Sequence, residues 1–154
     1  MLKIGDKAPD FEAQLVGGEK VRLSDLLKSK RVVLYFYLKD FTSGCTKEAC
    51  YFRDTKGEFD RRDAVILGVS ADSEESHRRF REQHGLNFGL IADEDNSVAQ
   101  LFGVPRLGGR LFSQRATFVI DTDGVIRGVV HSETDMNVHV DQALEVLDRL
   151  PVRV

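Results

Sequence analysis

Apolar positions along the chain alternate between two spacings. RVVLYFYL (31–38) and AVILGVS (64–70) are unbroken runs of aliphatic and aromatic residues, the composition of strands covered on both faces, so both are expected at the centre of a sheet. RATFVID (115–121) and GVIRGVV (124–130) flank Thr122-Asp123-Gly124, whose Asp-Gly pair signals a tight turn, and the two predict an antiparallel hairpin. NFGLIAD (87–93) supplies a further short strand. Helical spacing fills the gaps. After the first run a helix is expected from Thr42 or Ser43 through CTKEACYFRDTKGEFDRR. Asp72 and Glu75 form a capping-box pattern ahead of SHRRFREQHG, with Gly85 as the stop. DNSVAQLFG (95–103) repeats this on a smaller scale, with Asp95 or Asn96 as cap and Gly103 as stop. Val140, Ala143, Leu144, Leu147 and Leu150 recur at helical spacing up to Pro151. The order is a small N-terminal β-hairpin followed by β-α-β-α-β-α-β-β-α, an α/β fold with a central mixed sheet and helices on both faces.

No repeat, low-complexity segment or linker divides the sequence, so residues 1–154 are read as one domain. The 22 basic and 25 acidic residues leave a net charge of -3 and form no basic block, which argues against nucleic acid as a partner. MLKIGDKAPDFEAQLV lacks the apolar core of a secretion signal, and no run approaches the roughly 20 apolar residues that span a bilayer. A cytoplasmic location is expected, without a membrane partner. In that compartment a close cysteine pair is more often catalytic or redox-sensing than structural.

The chain has two cysteines, Cys45 and Cys50. Cys45 falls in the first turn of its expected helix, where unpaired N–H groups and the helix dipole favour the thiolate, the nucleophilic form. The alternative is that Cys45 is a small buried residue at a helix start and Thr42 merely a cap. His77, His84, His131 and His139 show no metal-ligand spacing with the cysteines and are expected to be solvated. GVPRLGGRLFSQR (103–115) matches neither the dinucleotide fingerprint nor the phosphate loop, and is read as a flexible loop. Neither a metal nor a cofactor is expected.

FTSGCTKEAC after an apolar strand, GDKAPDF near the N-terminus and RATFVID seventy residues downstream resemble the peroxiredoxins. GCTKEAC, FRD, GVSADS and TFVID are most similar to the bacterioferritin comigratory protein, or peroxiredoxin Q, subfamily, and the likeness runs from Gly5 to about Leu150. The resemblance implies a thioredoxin-like fold and thiol-dependent reduction of hydrogen peroxide and organic hydroperoxides. It also implies that Cys45 is the peroxidatic cysteine, Cys50 the resolving cysteine, Thr42 a hydrogen-bonding partner and Arg115 the site arginine. Thioredoxin or a similar dithiol would be the reductant, and the protein a monomer or weak homodimer.

Each role has a physical basis. Attack on a peroxide pushes negative charge onto the departing oxygen, and the rigid donor fork of Arg115 suits that charge. RATFVID alone would equally fit a strand-edge arginine in a surface salt bridge. The Thr42 hydroxyl can orient a peroxide while capping the helix. Glu48 either holds Arg115 as an ion pair or is a solvated helix glutamate. Leu38 stands where the family pattern has proline, which adds a backbone donor and is expected to loosen the loop, shielding the thiolate by bulk alone.

Two other functions compete with a peroxidase. A thiol-disulfide oxidoreductase would generally carry Cys-x-x-Cys, whereas here four residues separate the thiols. A non-catalytic redox-sensing module would use the disulfide only as a switch. Helix geometry constrains all three. Residues five apart on a regular helix have Cα atoms roughly 8.6 Å apart, beyond the about 4.4–6.8 Å of a disulfide. If Cys45 and Cys50 pair, the helix between them must unwind.

Overall fold

The computed structural model describes residues 1–104 and 115–151. In chain order the elements are β1 (Glu12–Gln14), β2 (Lys20–Arg22), α1 (Leu23–Leu26), β3 (Arg31–Phe36), α2 (Ser43–Asp54), α3 (Lys56–Arg61), β4 (Ala64–Ser70), α4 (Glu74–His84), β5 (Gly89–Ala92), α5 (Ser97–Leu101), β6 (Ala116–Ile120), β7 (Ile126–His131) and α6 (Asn137–Arg149). A five-stranded sheet has the order β5-β4-β3-β6-β7. β3 and β5 run parallel to β4, while β6 is antiparallel to both β3 and β7. The first two apolar runs are central, the downstream pair is the expected hairpin, and β1 pairs antiparallel with β2.

The period-2 geometry of β3 splits the interior into two layers. Val32, Leu34 and Phe36 join Leu23, Val98, Phe102 and Phe118 on one face. Val33, Tyr35 and Tyr37 join Cys45, Phe52, Phe59, Phe80 and Val140 on the other. α1 and α5 thus cover one face, and α2, α3, α4 and α6 the other. At burial of about 25 cal/mol per Å² of apolar surface, two such layers are the main source of stability.

Local details depart from expectation where side chains find better partners. The helix after β3 breaks at Thr55, whose backbone leaves the helical conformation at φ -104° and ψ 8° while its hydroxyl and N–H both donate to the Tyr51 carbonyl, at 2.6 and 3.0 Å. Ser73, not Asp72, caps α4, with Oγ accepting the Ser76 N–H at 3.1 Å; Asp72 turns inward and Glu75 pairs with Arg78 and Arg79. Gly85 ends α4 in the left-handed conformation, as expected. Asn96 holds the N-cap position of α5 without a side-chain cap bond. Asp93 supplies it, accepting the Val98 and Ala99 N–H groups at 3.0 Å. The loop read over 103–115 lies largely outside the described residues.

Gly68 of β4 pairs with Tyr35 of β3, and a Cβ there would sit 2.9 Å from Tyr35 Cζ and Oη and from Leu90 Cδ2. Tyr35 has little room to yield, because its ring stacks on Phe52 at 4.5 Å. Gly68→Ala is therefore expected to destabilise the protein by about 1–3 kcal/mol, the usual cost of overpacking. A lowered urea midpoint with unchanged slope would register it.

Candidate active site

α2 begins where expected. Thr42 has extended backbone angles and its carbonyl accepts the Thr46 N–H at 2.9 Å, which places Cys45 in the first turn. That turn's N–H groups lack intrahelical acceptors. The Thr42 hydroxyl does not cap them. It donates instead to the Lys39 carbonyl at 2.9 Å, which leaves its lone pairs open to an incoming O–H donor. Cys45 is buried against Tyr35, Ala49 and Phe52, while Cys50 is half-buried further along the same helix; both thiols are free.

Arg115, just before β6, is also buried and reaches this turn. An ideal Cβ on Gly44 would lie 3.3 Å from its Nη2 and 3.6 Å from Met136 Sδ, so a glycine next to Cys45 makes the space that the guanidinium occupies. The Arg115 backbone N–H is held by the Glu133 carboxylate at 3.0 Å. Of the two readings of Glu48 the solvated one fails: the glutamate is fully buried, with Oε1 3.7 Å from Arg115 Nη1. That distance is too long for a hydrogen bond, and among the described residues Arg115 Nη1 and both Glu48 oxygens have no hydrogen-bond partner. Burial, opposed by the Arg115 charge, pushes the Glu48 carboxyl up to about 8.

Two histidines expected in solvent are instead fully buried. His139 of α6 lies with Nδ1 2.8 Å from Thr117 Oγ1 and Nε2 2.9 Å from the Ser132 carbonyl, and Nε2 is 3.7 Å from Glu48 Oε2. The carbonyl can only accept, so Nε2 carries the proton and Nδ1 accepts from the threonine. Burial lowers the His139 pKa, which keeps the ring neutral. His77 of α4 faces the Asp40 carboxylate with Nδ1 at 2.7 Å and the Ile91 carbonyl with Nε2 at 3.0 Å. His131, half-exposed, follows the expected reading and pairs with Glu133. Side-chain spacing held a signal for both buried rings: His139 is one turn before Ala143, and His77 three residues before Phe80, on the inward stripe of each helix.

Asp40 is the third residue that sequence reading passed over, and it fixes the loop leading to Cys45. Its carboxylate accepts the Tyr37 hydroxyl at 2.6 Å and the Ser76 hydroxyl at 2.9 Å, besides facing His77, and its N–H donates to Asp72 Oδ2 at 2.9 Å. The loop that leucine was expected to loosen is thereby tied to β4 and α4, while Leu38 packs partly buried on the core layer around Cys45. Phe41 is held at φ 66°, edge-on to Phe80 at 5.2 Å, a backbone conformation that costs a non-glycine residue about 1–3 kcal/mol unless its surroundings impose it. Asp40, Asp72 and His77 are also the one cluster among the described residues with metal-ligand atoms within 4.8 Å of one another. Their donor atoms are engaged with each other and with Tyr37, Ser70 and Ser76, so the trio reads as a hydrogen-bond network.

Residues 4–129 match the AhpC/TSA family. The chain is 48% identical over 128 residues to peroxiredoxin Bcp of Bacillus subtilis, covering 80% of this chain and 81% of that protein. It is 41% identical over 147 residues to the chloroplastic peroxiredoxin Q of Sedum lineare, covering 95% and 78%. Among solved structures, peroxidoxin BcpB of Mycobacterium tuberculosis superposes with a TM-score of 0.91 at 40% identity, covering 98% of this chain and 99% of that one. Peroxiredoxin Q of Xanthomonas campestris gives a TM-score of 0.80 at 32% identity, covering 90% and 89%.

Removing the Asp40 carboxylate takes from His77 and from the Tyr37 and Ser76 hydroxyls the acceptor they share. Asp40→Ala is expected to cost about 3–5 kcal/mol, as for one partner of a buried pair. Urea unfolding of the reduced protein measures it, and a loss below 1 kcal/mol would mean that water replaces the carboxylate.

Proposed function

Given that the chain belongs to the AhpC/TSA family and is a thiol-dependent peroxidase, we propose that Cys45 is its peroxidatic cysteine, Cys50 its resolving cysteine, and Thr42 and Arg115 the groups that bind and polarise the peroxide. The observation that carries this reading is the seating of the Arg115 guanidinium over Gly44, against the helix turn that holds Cys45. Cys45 thiolate attacks one peroxide oxygen. The S–O bond forms as the O–O bond breaks, and the departing oxygen leaves as water or an alcohol after taking a proton. Arg115 faces the charge that builds on the two oxygens, and Thr42 accepts from the peroxide O–H. Cys50 thiolate then attacks the Cys45 sulfenic acid. The S–S bond forms, the S–O bond breaks and hydroxide departs as water.

A dithiol donor, thioredoxin or one like it, returns two electrons to the disulfide. Hydrogen peroxide and organic hydroperoxides are the proposed substrates, and a reducing compartment such as the cytosol suits the cycle. An arginine against the nucleophile's turn favours peroxide reduction over exchange with protein disulfides, which have no developing oxyanion to stabilise. The intact α2 is the peroxide-reducing form, and its stretch between the cysteines opens for the second step.

Cys45→Ser is expected to abolish turnover, whereas Cys50→Ala reduces one equivalent of peroxide and leaves a sulfenic acid that dimedone traps. Retained rapid activity in Cys45→Ser would overturn the assignment. Arg115→Met is expected to slow single-turnover peroxide reduction by on the order of a hundredfold or more, the usual loss of one transition-state donor. Equal activity of Arg115→Lys, Arg115→Met and the unchanged protein would reduce the arginine to a structural role. Hydrogen exchange checks the opening of α2: amides 46 to 52 should be protected only in the reduced protein. Equal protection in the disulfide form, with the bridge confirmed by mass spectrometry, would sink the unwinding step.

A further inference from the structure

Glu48 lies between the two cysteines on the helix and has no hydrogen-bonded partner among the described residues, yet it is completely buried. We propose that Glu48 makes the opening of α2 a proton-releasing step, so that the resolving half of the cycle is gated by pH through this side chain. The inference rests on the reading that Cys50 resolves Cys45 by unwinding the helix. Unwinding between residues 45 and 50 necessarily carries Glu48 from the interior into water.

The groups that face Glu48 decide its charge when the helix is wound. From the start of β6, Arg115 Nη1 lies 3.7 Å from Oε1 and favours the carboxylate. From α6, His139 Nε2 is 3.7 Å from Oε2, but its proton is directed to the Ser132 carbonyl, so the neutral ring gives the carboxylate no compensating charge. Asp141 of α6 is occupied by the Tyr51 hydroxyl. From the segment after β7, Glu133 repels, and His131 at the end of β7 is spent on Glu133. Tyr35 of β3 is buried beneath and held well above its ordinary pKa by desolvation, so it stays neutral. One cation at a distance too long for a hydrogen bond does not offset complete desolvation, and the wound form keeps the carboxyl protonated up to about 8. In water the same group titrates near its ordinary value of 4.5.

The sign is opposite to that of a salt-bridged carboxylate. Between the two values the wound helix carries a proton that the open helix lacks, so raising the pH favours opening by up to tenfold per unit. Below about 4.5 both forms keep the proton, and above about 8 neither does. The proton goes to solvent, while the disulfide and water form from the sulfenic acid and the Cys50 thiol as before. A neutral Glu48 also leaves the Arg115 charge uncompensated in the wound form, where it meets the thiolate and the peroxide.

The test separates Glu48 from the thiols by working in full-length protein with Cys45→Ser and Cys50→Ser, measuring hydrogen-exchange protection factors from pH 5.5 to 7.5. With Glu48 present, protection of amides 46 to 52 should fall by nearly tenfold per unit, while β3 amides stay level. With Glu48→Gln the same amides should hold the acid-side protection throughout. Equal slopes in both, or a flat profile with Glu48 present, would overturn the coupling. Should the glutamine variant fail to fold, the Glu48 carboxyl is followed by carbon NMR in the same background: a midpoint near 8 supports the proposal and one near 4.5 overturns it. Mass spectrometry of the unchanged protein after one equivalent of peroxide judges the underlying reading separately. Absence of the Cys45–Cys50 disulfide removes that reading, and a disulfide formed alongside a flat exchange profile removes the proton coupling alone.

Discussion

In the proposed cycle the twelve residues of α2 are wound for peroxide reduction and open for disulfide formation, a dual demand that bears on every interaction around them. A wound helix aims its first-turn N–H groups at Cys45 and seats Gly44 against Arg115, the arrangement that stabilises negative charge. The same winding keeps two thiols on one helix too far apart to bond. Neither state can be made very stable without disabling the other, so the interactions around α2 have to be individually strong and collectively close to balance.

The distribution of polar groups reflects that balance. Upstream of the helix the Asp40 network is fully satisfied and buried, so the loop carrying Thr42 behaves as part of the sheet scaffold. Within the helix the buried Glu48 is unsatisfied among the described residues, a standing cost that disappears when the segment meets water. Hydrophobic contacts of Cys45, Ala49 and Phe52 with Tyr35 oppose release. A rigid anchor beside a helix with an internal liability confines motion to the segment where chemistry needs it.

The fold was legible because its strands differ so sharply in composition from its helices. RVVLYFYL and AVILGVS could only be central, and the Asp-Gly turn fixed the antiparallel pair. The cap of α4 falls on Ser73 and not Asp72, and Asn96 holds the N-cap position of α5 as expected while Asp93 makes the side-chain bonds, because several short polar side chains compete near each helix start and partners such as Asp40 decide among them. The roles proposed for Cys45, Thr42 and Arg115 came from motif resemblance, with the helix-start argument behind Cys45. The burial of Glu48, His139 and His77 did not, since a charged or titratable residue is read as exposed by default and only the packing of α2 on α6, and of α4 on the sheet, reverses that.

The break at Thr55 bears on how far opening can spread. A helix continuing into α3 would unwind cooperatively past Cys50 and drag Phe59 and the Arg62–Asp148 pair out of place. Because the backbone leaves the helical conformation at Thr55, α3 is a helix of its own, docked by its own ring and its own ion pair. The interruption acts as a hinge point that sets the size of the excursion. In the proposed cycle each turnover would open part of one helix while the sheet beneath and α3 stay folded, so that of the buried rings only those carried by α2 would meet water.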